Sequence, residues 1–207
     1  MQRAAPRLYL VTPPVSDPGA VADDLADALN ATDIAAVLVR FGRGDDAALL
    51  DRIKALRILI QSNGAALLLD GRADLVARAE ADGAHLTGIA AFEAATPALK
   101  PARIAGCGGL STRHDAMMAG ESGADYVMFG EPDADGRRPN FDAVLERAGW
   151  WAETLTIPCV AYAASLDEVE ALAQVHADFV AIGETVWRAA GGIAAAAKLL
   201  TVVEPVR

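Results

Sequence analysis

Cysteine is scarce in this chain: 207 residues contain two, Cys107 and Cys159. They form neither a CxxC pair nor a metal-ligand spacing, and a chain of this size needs no disulfide, so both read as free thiols. Basic residues are also few, with 18 Lys and Arg against 28 Asp and Glu and a net charge of −10. That field repels nucleic acid unless a local basic patch overrides it, and the sequence has no such patch. Apolar runs such as Ala65–Leu69 stop far short of the roughly 18 residues a membrane span needs. The N-terminus lacks the apolar core of a signal peptide, so the sequence predicts a soluble, cytoplasmic protein. No Gly-x-Gly-x-x-Gly follows the first strand candidate, and no nucleophile-elbow pattern occurs.

What is present is apolar and periodic. Hydrophobic residues make up 53% and charged residues 22%, which excludes a disordered or fibrous chain, and much of the apolar share is alanine, suited to close-packed helices. Gly123–Glu131 and His176–Glu184 are near copies: Ala-Asp, a short apolar run, then Gly-Glu. A shorter relative occurs at Ala81–Leu86. A recurring helix-turn-strand unit is the grammar of a parallel β/α fold. Strand candidates are Arg7–Val11, Ile34–Arg40, Ala65–Asp70, Ala84–Leu86, Ala102–Gly106, Asp125–Gly130, Pro158–Tyr162 and Asp178–Gly183, with helix-period sequence between them. Ser165 and Glu168 fit a capping box, and Pro97 and Pro101 bracket the turn before the fifth strand. Eight alternations in 207 residues predict one (β/α)8 TIM barrel over 1–207; an open doubly wound sheet ranks lower, because it usually needs fewer strands.

In a barrel, residues at the C-terminal tips of the strands share one rim, where chemistry resides. Arg40 ends an apolar run and offers a planar fork to a phosphate or carboxylate, unless it merely opens a loop. Asp70 and Asp74 flank Arg72; such carboxylates suit Mg²⁺ on a diphosphate, or else Asp70 caps a helix and Asp74 favours its dipole. His85 suits acid-base work or a single structural hydrogen bond. The run Gly106–Gly109 lets backbone amides approach an anion near Ser111 and His114, although Ser111 or Thr112 serves equally as an N-cap. Glu131 stands at a strand tip, where partial burial suits proton transfer, and Arg137 and Arg138 lie in a polar loop, placed to neutralise a phosphate or only to solvate a turn. Cys107, Ser165 and Gly183 fall on the same rim, the last two as phosphate-binding candidates. Trp150, Trp151 and Trp187 read as packing residues.

Several of these segments occur together, in order, in one known family. Leu8–Thr12, Val37–Arg40, Leu69–Leu75, Ala81–Leu86, Ser111–His114 and Gly123–Tyr126 together resemble the thiamine phosphate synthase and thiazole tautomerase superfamily of small (β/α)8 barrels. The resemblance implies a transferase that joins hydroxymethylpyrimidine diphosphate to a thiazole phosphate with Mg²⁺, and a homodimer is common in the family. Matched position by position, it keeps Arg40, Arg72, Asp74 and His85. It departs at Leu38 and Gly42, where the family has glutamine and lysine, and at Gly71, where it has a Mg²⁺-binding aspartate, with Asp70 in the preceding asparagine position. The second metal aspartate is Ala90 or Ala91, and Ala163–Ser165 replaces a phosphate-binding Gly-Gly. Two alternatives follow: a metal-free isomerase like the tautomerase, with Glu131 near the place of its histidine, or an inactive barrel that binds a ligand.

Overall fold

The computed structural model describes residues 5–133 and 135–201. Eight parallel strands close into a barrel: β1 (Arg7–Val11), β2 (Ile34–Val39), β3 (Ala66–Asp70), β4 (Gly83–Thr87), β5 (Ile104–Gly108), β6 (Tyr126–Phe129), β7 (Cys159–Ala163) and β8 (Phe179–Ile182). Leu10 of β1 pairs with Leu38-flanking Val37 on one side and Ile182 of β8 on the other, which closes the ring. Around it run α1 (Gly19–Ala31), α2 (Asp46–Ser62), α3 (Ala73–Ala79), α4 (Ile89–Leu99), α5 (Arg113–Glu121), α6 (Phe141–Thr154), α7 (Leu166–Gln174), α8 (Glu184–Arg188) and α9 (Gly192–Thr201). The expected (β/α)8 barrel is therefore the observed fold.

Both strand faces are buried, which explains apolar runs without polar alternation. One phase of each strand (Leu8, Leu10, Val37, Leu67, Val127, Phe129) packs outward against the helices. The other phase (Tyr9, Leu38, Leu68, Tyr126, Met128, Tyr162) fills the barrel interior.

The repeated Ala-Asp unit has a specific job. Asp82 Oδ2 accepts from Leu67 N (2.8 Å), Asp125 Oδ2 from Ala105 N (2.7 Å) and Asp178 Oδ2 from Cys159 N (2.8 Å). The carboxylate before each of β4, β6 and β8 thus clips the start of the preceding strand, satisfying a backbone donor at the barrel's N-terminal end.

Three local expectations shift. The fifth strand lies two residues later than expected, so Gly108 belongs to the strand and not to a loop. Glycine reads as a breaker, but here neighbouring side chains need the space it leaves. Pro97 sits inside α4, not at its edge. Cys107 is on the outward phase of β5, fully buried among helix residues and off the rim, and burial pushes its thiol up to about 12.

Candidate active site

Four predicted residues surround one cavity of about 230 Å³ at the C-terminal ends of the strands: Arg40, Asp70 and His85, which continue the inward phase, and Glu131, which follows the left-handed Gly130 beyond β6. Val11, Leu38, Met128 and Tyr162 supply its apolar walls. A larger groove, about 800 Å³, runs past Arg7, Asp33 and Lys198 at the opposite end. Half of its lining is alanine and leucine, and its Arg7 and Asp33 are already paired at 2.8 Å, so the smaller cavity at the C-terminal rim is the candidate site.

Arg40 is held from two sides. Its backbone N–H donates to Thr12 Oγ1 (3.0 Å), and its Nε to Asp70 Oδ2 (3.3 Å), with both charged groups partly exposed to the cavity. One long contact leaves most of the guanidinium's donors free for an anion.

Opposite lies a chain of buried polar groups. Tyr9 Oη and Tyr126 Oη are 2.9 Å apart, Tyr126 Oη is 3.0 Å from His85 Nδ1, and His85 Nε2 is 3.9 Å from Glu131 Oε1. His85 is only 2% exposed, and its Nε2 has no hydrogen-bond partner among the described residues. Burial, opposed in part by their mutual hydrogen bond, pushes the phenol of Tyr9 up; burial with the help of Tyr9 pushes up that of Tyr126, so both stay protonated. Glu131 Oε1 also accepts a short hydrogen bond from the Gly109 amide. The glycine run does bring a backbone amide to an anion, and the anion is the protein's own carboxylate.

The two glycines of β5 make this arrangement possible. A Cβ on Gly106 would lie 2.0 Å from Tyr126 Cζ, and one on Gly108 would lie 2.0 Å from Glu131 Oε1 and 2.6 Å from His85 Nε2. Their alternate spacing within a strand was the available signal for crowding inside the barrel. Nothing in the sequence points to Tyr9 and Tyr126 as a pair, since 117 positions separate them.

The other candidates stand elsewhere. Arg72 grips both oxygens of Asp74 (2.9 and 2.6 Å) and reaches Asp46 (2.6 Å), and that hydrogen bond holds the Asp74 carboxyl below the usual range. Asp70 does not cap α3, whose N-cap is Arg72. Thr112, not Ser111, caps α5 in a full capping box with Asp115; Ser111 and His114 are exposed beside it. Arg137 is exposed and paired with Asp133 and Asp135; Ala134 of that loop lies outside the described residues. Arg138 is a clamp: it donates to Gly130 O (3.1 Å), Tyr162 O (3.2 Å) and Glu168 Oε2 (2.9 Å). Glu168 also accepts from Ala164 N (2.7 Å), so Ser165 keeps only the N-cap half of the expected box, accepting from Glu168 N (3.2 Å). Gly183 leaves room for Tyr162, whose Oη would be 1.8 Å from an added Cβ.

Of the two carboxylates expected to hold a metal, Asp70 lines the cavity with only Oδ2 engaged, and Asp74 does not line it. Among the described residues there is no cluster of three or more His, Cys, Asp or Glu side chains able to hold an ion. An ion held by one carboxylate plus substrate phosphate oxygens is compatible with this donor set, as Mg²⁺ commonly is.

Residues 8–186 match the pattern of the family described as thiamine monophosphate synthase. The chain belongs to that family. The thiamine-phosphate synthase of Rhodospirillum centenum is 39% identical over 198 residues, which span 92% of this chain and 93% of the relative. That of Hyphomonas neptunium is 34% identical over 205 residues, 95% of this chain and 92% of the relative. The fold of this family member matches that of the thiamine phosphate pyrophosphorylase from Pyrococcus furiosus with a TM-score of 0.76 at 22% identity, covering 94% and 95% of the two chains. No helix among the described residues is long and apolar enough to cross a membrane.

Proposed function

We propose that this barrel catalyses the thiamine phosphate synthase reaction, joining hydroxymethylpyrimidine diphosphate to a thiazole phosphate with release of diphosphate. The observation that carries the reading is the convergence of Arg40 and Asp70 with His85 and Glu131 in one cavity of a family member. Arg40 provides the free cationic fork for a phosphate, a preorganised donor set for charge that builds on a leaving group. Glu131, fixed by the Gly109 amide, and His85 orient the ring of the pyrimidine substrate at the cavity floor. Leu38 and Met128 flank that ring from the apolar wall. Asp70 is the residue that would hold Mg²⁺; when bound, the ion neutralises charge on the diphosphate. Asp74, Arg72 and the Arg137 loop act in this reading at the rim, as exposed charges that approaching phosphates meet.

The same reading places the protein in the cytoplasm and carries the homodimer common in the family; sedimentation of the purified protein tests the latter. A second reading rests on the 3.9 Å approach of His85 Nε2 to Glu131. An acid-base pair in a cavity without a cluster of metal-ligating side chains among the described residues favours proton transfer that needs no metal, as in a thiazole tautomerase. The deciding assay supplies purified protein with both substrates, with and without Mg²⁺, and reads product after oxidation to fluorescent thiochrome. Mg²⁺-dependent product establishes the synthase reading. Its absence from folded protein retires that reading, and conversion of the thiazole phosphate alone would then establish the isomerase.

A further inference from the structure

We propose that Tyr9 and Tyr126 are positioning residues: a one-way hydrogen-bond relay across the barrel that fixes His85 as the tautomer with its proton on Nε2, aimed at the cavity. The argument starts from donors and acceptors. Each phenol has one proton to give, and each stays protonated in its buried position. Tyr9 Oη has Tyr126 as its hydrogen-bond partner, and Tyr126 Oη has Tyr9 and His85 Nδ1.

Two directions are available. In the first, Tyr9 donates to Tyr126, Tyr126 donates to Nδ1, and the imidazole proton resides on Nε2. Both phenol protons are used, and the remaining N–H, which has no hydrogen-bond partner among the described residues, faces the Glu131 carboxylate at 3.9 Å. In the reverse direction, Nδ1–H donates to Tyr126 and Tyr126 to Tyr9. The Tyr9 proton is then left with no acceptor among the described residues, in a side chain 2% exposed. Each direction thus leaves one buried donor without a hydrogen bond, and the two differ in what that donor faces: a carboxylate in the first, no acceptor in the second. The reverse direction also turns the Nε2 lone pair toward a carboxylate, acceptor against acceptor. The forward direction is favoured on each comparison.

The frame around the relay is rigid. The His85 and Tyr126 rings lie nearly parallel, 13° apart with centroids at 5.7 Å, and the Tyr9 ring meets Tyr126 edge-on. Gly106 and Gly108 supply the space in which these rings and Glu131 sit. The cavity floor consequently offers a fixed donor, Nε2–H, beside a fixed acceptor, Glu131. That pair matches a ligand edge that carries an acceptor next to a donor, such as a ring nitrogen beside an amino group. This consequence rests on the cavity being the working site; the tautomer itself does not.

The test is a long-range proton–nitrogen correlation spectrum of ¹⁵N-labelled protein near neutral pH, with His85 assigned by its loss in a His85→Gln variant. The expected spectrum shows His85 as a single species, protonated at Nε2 and bare at Nδ1. A proton on Nδ1, or on both nitrogens, overturns the proposal. Tyr126→Phe removes the donor to Nδ1 and is expected to convert the single tautomer into a mixture; an unchanged pure Nε2–H form overturns the relay as its cause. Should that variant not fold, uniform 3-fluorotyrosine labelling strengthens the phenol donors without deleting them. The His85 Nδ1 resonance is then expected to shift, and an unmoved resonance overturns the relay. Because the tautomer is read without substrate, an inactive protein leaves the relay standing, and a wrong tautomer leaves the synthase assay untouched.

Discussion

Gly130-Glu131 and Gly183-Glu184 end near-identical stretches of sequence, yet their glutamates have opposite fates. Glu131 folds over the barrel mouth, its side chain only 14% exposed, against His85 and the Gly109 amide. Glu184 opens α8 in solvent and pairs with Arg188, one helical turn on, at 2.7 Å. The divergence begins in the backbone. Gly130 has φ +92°, a left-handed turn that glycine permits, whereas Gly183 is an extended N-cap with φ −107°. It is completed across the sheet. Beyond Glu131 the neighbouring Gly108 leaves a space, while beside Gly183 the interior is filled by Tyr162. A motif sets where a carboxylate leaves the strand; its neighbours decide whether it enters a site.

The comparison is broken most directly at the two glutamates. Glu131→Gln is expected to lower kcat/KM for thiamine phosphate formation on the order of 10²-fold, the loss that follows when a substrate-orienting group is misplaced, while Glu184→Gln stays within about twofold. Equal losses in steady-state assays of the two variants would mean that the barrel mouth does not distinguish them. Gly108→Ala tests the space itself. Overpacking against Glu131 and His85 is expected to cost about 1–3 kcal/mol in urea unfolding, and adding Glu131→Ala should recover part of it. Full destabilisation in the double variant would place the strain elsewhere in β5.

The shared half of the repeat should behave alike in both copies. Asp125→Ala and Asp178→Ala each strand a backbone N–H at the barrel's N-terminal end, a loss of about 1 kcal/mol or more in the same unfolding measurement with activity retained at permissive temperature. Unequal losses would show that the clips are not equivalent. The smallest effect belongs to the rim. The Arg72 hydrogen bond depresses the Asp74 carboxyl, so its contribution is present above the ordinary carboxylate range, about pH 4, and is lost as pH falls through the lower folded value. Because the pair is largely exposed, Asp74→Asn should flatten that acid limb by only a few tenths of a kcal/mol, read from stability against pH. A larger change would mean a buried role for Asp74.

Much of the site was legible because strand tips are legible. Arg40, Asp70, His85 and Glu131 each end or nearly end an apolar run, and the fold gathers such positions on one rim. Arg138 was legible as a cation near that rim but not as a clamp, since its partners Gly130, Tyr162 and Glu168 come from three separate segments. The loop reading of Gly108 failed because local propensity treats glycine as punctuation, whereas its value here is the absence of a Cβ beside a distant carboxylate.

By itself the sequence determined the barrel, its eight strand positions to within about two residues and the polar tips, because these follow from periodicity and local turn chemistry, and it carried the family through the order of its motifs. Tertiary structure alone decided that Tyr9, Tyr126, His85 and Glu131 form one buried polar chain, and that Arg72, Arg138 and Cys107 do not line the cavity. Hydrogen-bond partners and inward space are properties of strands brought together by closure of the sheet, and no local stretch of the chain carries them.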